Sequence, residues 1–100
     1  MSERERESPG EAAVLRRFPL ERRVVADLRA QSEDFCDMCE ELADAELALL
    51  AAEALPPAVR RERTAEWVAA VERLTAEIES ALRHANVIRI GWAGHWKRRP

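Results

Sequence analysis

The residues of this chain most suggestive of chemistry are two cysteines, Cys36 and Cys39, which lie one helical turn apart. A Cys-x-x-Cys pair can act as a redox couple or supply half of a zinc site. Redox activity favours cysteines at a helix start, where the helix dipole promotes the thiolate. Ser32 is the predicted N-cap, so Cys36 lies a full turn inside the helix among acidic residues. We therefore expect Cys39 to pack as a small apolar residue and Cys36 to be half exposed.

A zinc site would need ligands beyond the two cysteines, and the only histidines are His84 and His95. His84 is expected about two turns away, and His95 can reach the cysteines only if the carboxyl-terminal segment folds back. Zinc-binding anti-sigma proteins use His-x-x-x-Cys-x-x-Cys, and Ser32 stands at the position of that histidine. We therefore favour no metal site, and a metal-binding or thiol-based regulator that uses Cys36, Cys39 and His95 is the alternative.

The carboxylates around the cysteines form the next group of candidates. Residues 31–55 hold eight acidic residues and no Lys or Arg. Di-metal helical bundles use Glu-x-x-His motifs that project inward, and this chain has none. We expect Glu33, Asp37, Glu40, Glu41 and Asp44 to form an outer face that can receive arginines such as Arg22, Arg23 and Arg29. A Ser-His-Asp order, a P-loop and a Gly-rich dinucleotide turn are also absent from the sequence, so we expect neither an enzyme nor a cofactor.

The carboxyl-terminal residues 87–100 combine Trp92 and Trp96 with four basic residues and no acid. Aromatic and basic residues together can contact nucleic acid or a membrane surface, which is a further alternative function. The whole chain is acidic, with a net charge of −3. We therefore expect the tryptophans to pack on the fold itself or on a protein partner, with the segment helical or extended.

We expect helices to position all of these residues. Glycine and proline are the residues that disfavour a helix most, and between Glu11 and Ile90 glycine is absent and prolines are few. We predict an all-α chain with a disordered leader at 1–12, a helical hairpin domain at 13–86 and a basic tail at 87–100. The expected helices cover residues 20–30, 33–55 and 58–85, and Pro56-Pro57 forms the turn. No apolar run is long enough for a membrane span, and the amino-terminal residues do not resemble a secretory signal. Cytoplasmic, reduced thiols are therefore expected.

Two apolar rows with alternating steps of three and four predict that the long helices pack antiparallel, as in a coiled coil. The short first helix is expected to cover the open end near Phe35, Ile78 and Leu82. The predicted rows are Phe35, Met38, Leu42, Ala45, Leu49 and Ala52 in one helix, and Trp67, Val71, Leu74, Ile78, Ala81 and Ala85 in the other.

Leu47, Leu50 and Val68 lie off these rows and are expected to face outward. A hairpin of this size has a thin core, which favours a homodimer in the form of a four-helix bundle. The alternative is that the first helix folds over the two leucines. We expect a non-enzymatic interaction module with Leu47, Leu50, Trp67, Val68, Trp92 and Trp96 as contact residues.

The segment from Phe18 to about Leu82 resembles the small bacterial YdcH-like helical-hairpin proteins. The matching features are Phe18-Pro19, the apolar step at Val25 and Leu28, Phe35, and a second helix that returns antiparallel. Cys39, Trp67 and the Trp-containing tail depart from that pattern. The resemblance implies a hairpin that tends to oligomerise, and it implies no catalytic residues.

Overall fold

The computed structural model describes residues 7–98, with side chains as far as Ile88. This part of the chain is all-helical and contains no strand, which confirms the predicted class. The elements are α1 (Pro9–Arg17), a 3-10 turn (Pro19–Glu21), α2 (Arg22–Gln31), α3 (Glu33–Glu53) and α4 (Pro57–Arg98). Within the described residues, no helix combines the length and apolarity that a membrane crossing requires.

Helix α1 begins at Pro9, so the prediction of a disordered leader is wrong for residues 9–12. Ser8 caps the helix, because its hydroxyl oxygen accepts a hydrogen bond from the amide of Glu11 at 3.0 Å. Pro9 occupies the first helical position, where its missing amide hydrogen has no cost. The rest of that leader, residues 1–6, lies outside the described part of the chain.

The predicted N-cap of α3 is confirmed, since the Ser32 hydroxyl accepts a hydrogen bond from the amide of Phe35 at 3.0 Å. Helix α3 ends at Glu53, just before Pro56-Pro57. The Arg60 guanidinium then donates to the carbonyl oxygen of Leu55 at 2.9 Å, which satisfies a polar group in the turn.

Helix α4 does not end at Ala85 as predicted but continues to Arg98, a length of 42 residues or about 63 Å. Of the conformations left open for the tail, its backbone is therefore a helical continuation as far as Arg98. Gly91 and Gly94 lower helix propensity by about 1 kcal/mol each, which is not enough to end a helix this long. The predicted packing of Trp92 and Trp96 falls on side chains outside the described set.

The core combines the hairpin with the two shorter helices. Phe35, Leu42 and Ala45 of α3 share one core with the α4 row, so the two long helices pair as predicted. Ala52 is also buried but lies outside that core, and Met38 and Leu49 are half-buried. Helix α2 packs on α4, as expected for a helix that covers the open end. The buried side chains contributed by the other helices are Ala13, Val14 and Leu15 of α1, Val24 and Val25 of α2, and Val71, Leu74, Ile78 and Leu82 of α4.

Helix α1 packs along α3 in the same direction. Gly10 at its start lies against Glu40, and Arg16 at its end pairs with Glu46. Cys39 and Ala43 are consequently buried under α1, on a flank of α3 beside the row that packs on α4. The hairpin is thus covered by a third helix along part of its length.

Trp67 was predicted in the α4 row but is 38% exposed. The apolar spacing in α4 predicts only that Trp67 lies on the side of the helix that faces α3. Its burial also requires neighbouring side chains large enough to cover an indole ring. α3 offers mostly alanines at this end of the hairpin, such as Ala48, Ala51 and Ala52. Trp67 is therefore only partly covered.

Candidate functional site

The cysteine pair lies at the contact of α2 with α3. Cys39 is fully buried, with 0% exposure, and Cys36 is half-buried, as predicted. The Cys36 thiol donates to the backbone carbonyl oxygen of Arg29 in α2 at a sulfur–oxygen distance of 3.1 Å. Both side chains therefore take part in packing between helices.

The side chain of Arg29 extends over this pair. Burial raises the pKa of the Cys39 thiol, and the hydrogen bond from Arg29 only partly opposes that effect. Burial also acts to lower the pKa of Arg29, but the hydrogen bond to Cys39 and the nearby Cys36 and Glu11 raise it above its usual value. At neutral pH the pair is consequently a cation beside a protonated thiol, and a protonated thiol is a poor nucleophile.

The structure does not bring His84 to the cysteines. His84 is part of α4 and lines a groove between α2 and α4 with Val24, Leu28 and Ile88. His95, the other candidate ligand, lies outside the described side chains. Among the residues whose side chains are described, no three His, Cys, Asp or Glu side chains are arranged to hold a metal ion.

The sequence predicted that Glu40 faces outward, but in the structure its carboxylate contacts two other helices. Its carboxylate accepts a hydrogen bond from the amide of Gly10 at 3.1 Å and lies 3.6 Å from the Arg29 guanidinium. A carboxylate is stabilised at the amino end of a helix, where amide groups are free and the dipole is positive. Glu40 therefore connects α1, α2 and α3.

Glu46 is the second acid of α3 with arginine partners. Arg16 and Arg17 of α1 each approach its carboxylate to 2.8 Å. The expectation that arginines meet the acidic face is confirmed for Arg29, whereas Arg22 pairs with Glu7 at 3.1 Å instead. Sequence reasoning missed Arg16 and Arg17 because it did not place a helix before Phe18.

The large apolar side chains of α3 and α4 that remain exposed include Leu47, Leu50, Trp67 and Val68, and we call the α3 pair, Leu47 and Leu50, the open surface. The exposed fractions are 63% for Leu47, 63% for Leu50, 38% for Trp67 and 37% for Val68. The outward position predicted for Leu47, Leu50 and Val68 is thus confirmed. Both leucines stay exposed, so the alternative in which the first predicted helix, residues 20–30, folds over them is wrong.

No protein-family model, curated protein or solved structure matches this chain. The resemblance to YdcH-like hairpin proteins therefore stays a prediction. Function has to be argued from the geometry of the chain itself.

Proposed function

We propose that this chain is a non-enzymatic helical interaction module that self-associates through its hairpin, most simply as a homodimer with a four-helix bundle. The open surface carries this proposal. Complete burial of a leucine side chain stabilises a complex by about 1.5 to 3 kcal/mol, so two leucines at 63% exposure leave a substantial driving force for association.

The packing of the hairpin supports the same proposal. Near Cys39 and Ala43, α3 is covered by both α1 and α4, whereas beyond Glu46 the described helices leave Leu47 and Leu50 exposed. A second hairpin placed against this end would supply the missing helices and bury both leucines.

The cysteine cluster supports an interaction module over a thiol-based regulator. Cys39 is fully buried, and burial raises the pKa of its thiol and keeps it protonated. Two free cysteines used for packing fit a reducing compartment, so we place the protein in the cytoplasm within this proposal.

The proposal is tested by light scattering across a range of protein concentrations. The chain has a mass of 11.4 kDa, and we expect the unmodified protein to approach twice that value. A Leu47→Glu/Leu50→Glu double variant is expected to stay near 11.4 kDa, because association would bury two charges without partners.

Leu20→Glu is the matched control, since Leu20 is 95% exposed, lies in the 3-10 turn and does not line the groove beside Leu47 and Leu50. It should associate like the unmodified protein. An unmodified protein that stays monomeric at the highest concentration would overturn the proposal.

A further inference from the structure

We propose that the partner is a second copy bound in the groove between α1 and α3, with the two α3 helices antiparallel across a two-fold axis. This inference rests on the proposed self-association and specifies its surface. The groove has a volume of about 210 Å³. Its lining includes Pro9, Ala12 and Arg16 of α1 and Ala43, Leu47 and Leu50 of α3.

The groove contains both halves of a self-complementary contact. Leu47 and Leu50 project as large side chains, and Ala12 and Ala43 offer small side chains beside them. A two-fold interface requires the same patch to present projections and recesses, because each copy meets an identical surface. Leucines that enter recesses lined by alanine follow the ordinary packing of helix ridges into grooves.

The spacing along α3 fixes a simple register for this contact. When Leu50 of one copy lies over Ala43 of the other, antiparallel helices place the two-fold axis midway between these positions, beside Leu47. The two Leu47 side chains then meet near the axis, and each Leu50 enters the recess at Ala43. Both leucines with 63% exposure would become buried in one arrangement.

Charge favours this flank of α3 for contact with an identical chain. α3 carries exposed acids such as Glu41 and Asp44, and faces dominated by them would repel a second copy. Beside the groove, the Glu46 carboxylate is paired with both Arg16 and Arg17. That part of the surface therefore does not carry the negative charge of the rest of α3.

The chain's own leader is a poor occupant of the groove. Residues 1–6 read Met-Ser-Glu-Arg-Glu-Arg, and four of these six residues are charged. Charged side chains lose hydration in an apolar groove without gaining comparable partners. A second copy supplies leucines instead, which suit both the recess and its apolar edges.

Disulfide crosslinking of a Leu47→Cys variant tests this register directly. Cys36→Ser and Cys39→Ala remove the native thiols, so only the new cysteine can react. A mild two-electron oxidant such as diamide takes up the two electrons and two protons that leave two thiols as their sulfurs join. We expect most of the protein to form a covalent dimer, while Leu20→Cys in the same background forms at most a small collisional fraction.

Ala12→Glu supplies a second measurement, because it blocks the recess from α1 and leaves Leu47 and Leu50 unchanged. We expect the dissociation constant of the dimer to rise at least tenfold, with the helical circular dichroism signal preserved. A dimer that neither crosslinks through Leu47→Cys nor weakens with Ala12→Glu would use another surface, such as Trp67 and Val68. That outcome would overturn this inference and leave the proposed self-association standing, whereas a monomeric protein would overturn both.

Discussion

At the scale of single residues, the contact of Arg29 with Cys39 shows why a motif typical of chemistry serves packing here. The thiol has 0% exposure, and burial raises its pKa. The guanidinium keeps its charge beside the sulfur and lies 3.6 Å from the Glu40 carboxylate. Arg29 therefore joins α2 to α3 at the edge of an apolar core, through its carbonyl contact with Cys36 and its ion pair with Glu40.

The raised pKa of Cys39 predicts a loss of stability at alkaline pH. Folding favours the protonated thiol, so its contribution is complete below the usual thiol pKa of about 8.5. That contribution is lost as the pH rises through the higher pKa of the folded state. Urea denaturation from neutral to alkaline pH should show the free energy of unfolding falling above about pH 8.5.

Few other side chains lose a proton in this alkaline range, because the chain has no tyrosine and its only lysine is Lys97. Cys39→Ala should lower stability at neutral pH through the cavity it leaves, but should reduce the alkaline decline. Cys36→Ala, which keeps Cys39, should retain the decline. An equally steep decline in Cys39→Ala would show that another group is responsible.

At the scale of helices, the contact of α1 with α3 depends on the absence of a side chain at Gly10. A β-carbon at this position would lie 2.6 Å from the backbone carbonyl carbon of Cys39 and 2.5 Å from a carboxylate oxygen of Glu40. Only glycine allows the start of α1 to approach α3 this closely. The same approach lets the Gly10 amide donate to Glu40.

Gly10→Ala is therefore expected to destabilise the fold by about 1 to 3 kcal/mol, as overpacking of a tight contact does. At an open helical position the same change would stabilise by up to about 1 kcal/mol, so the sign of the effect is diagnostic. Urea denaturation at a fixed protein concentration measures it.

The Glu40→Ala change, made alone and together with Gly10→Ala, provides the control. Truncating Glu40 removes the carboxylate from the contact but leaves the Cys39 backbone in place. We expect the double variant to recover only part of the loss. A Gly10→Ala protein as stable as the original would contradict the close packing of these helices.

The hairpin was predictable from sequence because apolar spacing, the Ser32 cap and the Pro56-Pro57 turn all indicate the same arrangement. The start of α1 was missed, although Ser8 and Glu11 have the spacing of a capping box, because the charged leader suggested disorder. The contact at Gly10 depends on a helix 30 residues farther along the chain, which no local pattern encodes. The end of α4 was predicted too early, at Ala85, because the apolar row stops there, and a helical continuation was one of the conformations left open for the tail.

Part of the candidate site was also predictable from the spacing of apolar residues. Periodicity correctly placed Leu47, Leu50 and Val68 outside the seam, since the face of a helix follows from spacing alone. The groove beside Leu47 could not be predicted, because α1 forms one of its walls. Trp67 was misplaced because spacing indicates direction but not the size of the neighbours.

At the scale of the whole molecule, the fold is uneven, with three packed helices around Cys39 and Ala43 and a hairpin with exposed leucines beyond them. If a second copy binds this end only in the folded state, mass action makes stability depend on protein concentration. We expect the melting temperature to rise by roughly 3 to 6 °C for each tenfold increase in concentration.

Circular dichroism melting curves over a hundredfold range of concentration measure this effect. The Leu47→Glu/Leu50→Glu variant should melt at one temperature throughout the range. Leu20→Glu should keep the dependence of the original protein. A melting temperature that is constant for the unmodified chain would mean that folding and association are not coupled.

The parallel packing of α1 on α3 also affects how the chain folds during its synthesis. α1 leaves the ribosome first, but Gly10 binds Glu40, which is made 30 residues later. Until then Ala13, Val14 and Leu15, which become fully or nearly fully buried, lack the α3 surface that completes their burial. Arg16 and Arg17 at the end of α1 likewise stay in water until α3 emerges and supplies Glu46 as their partner.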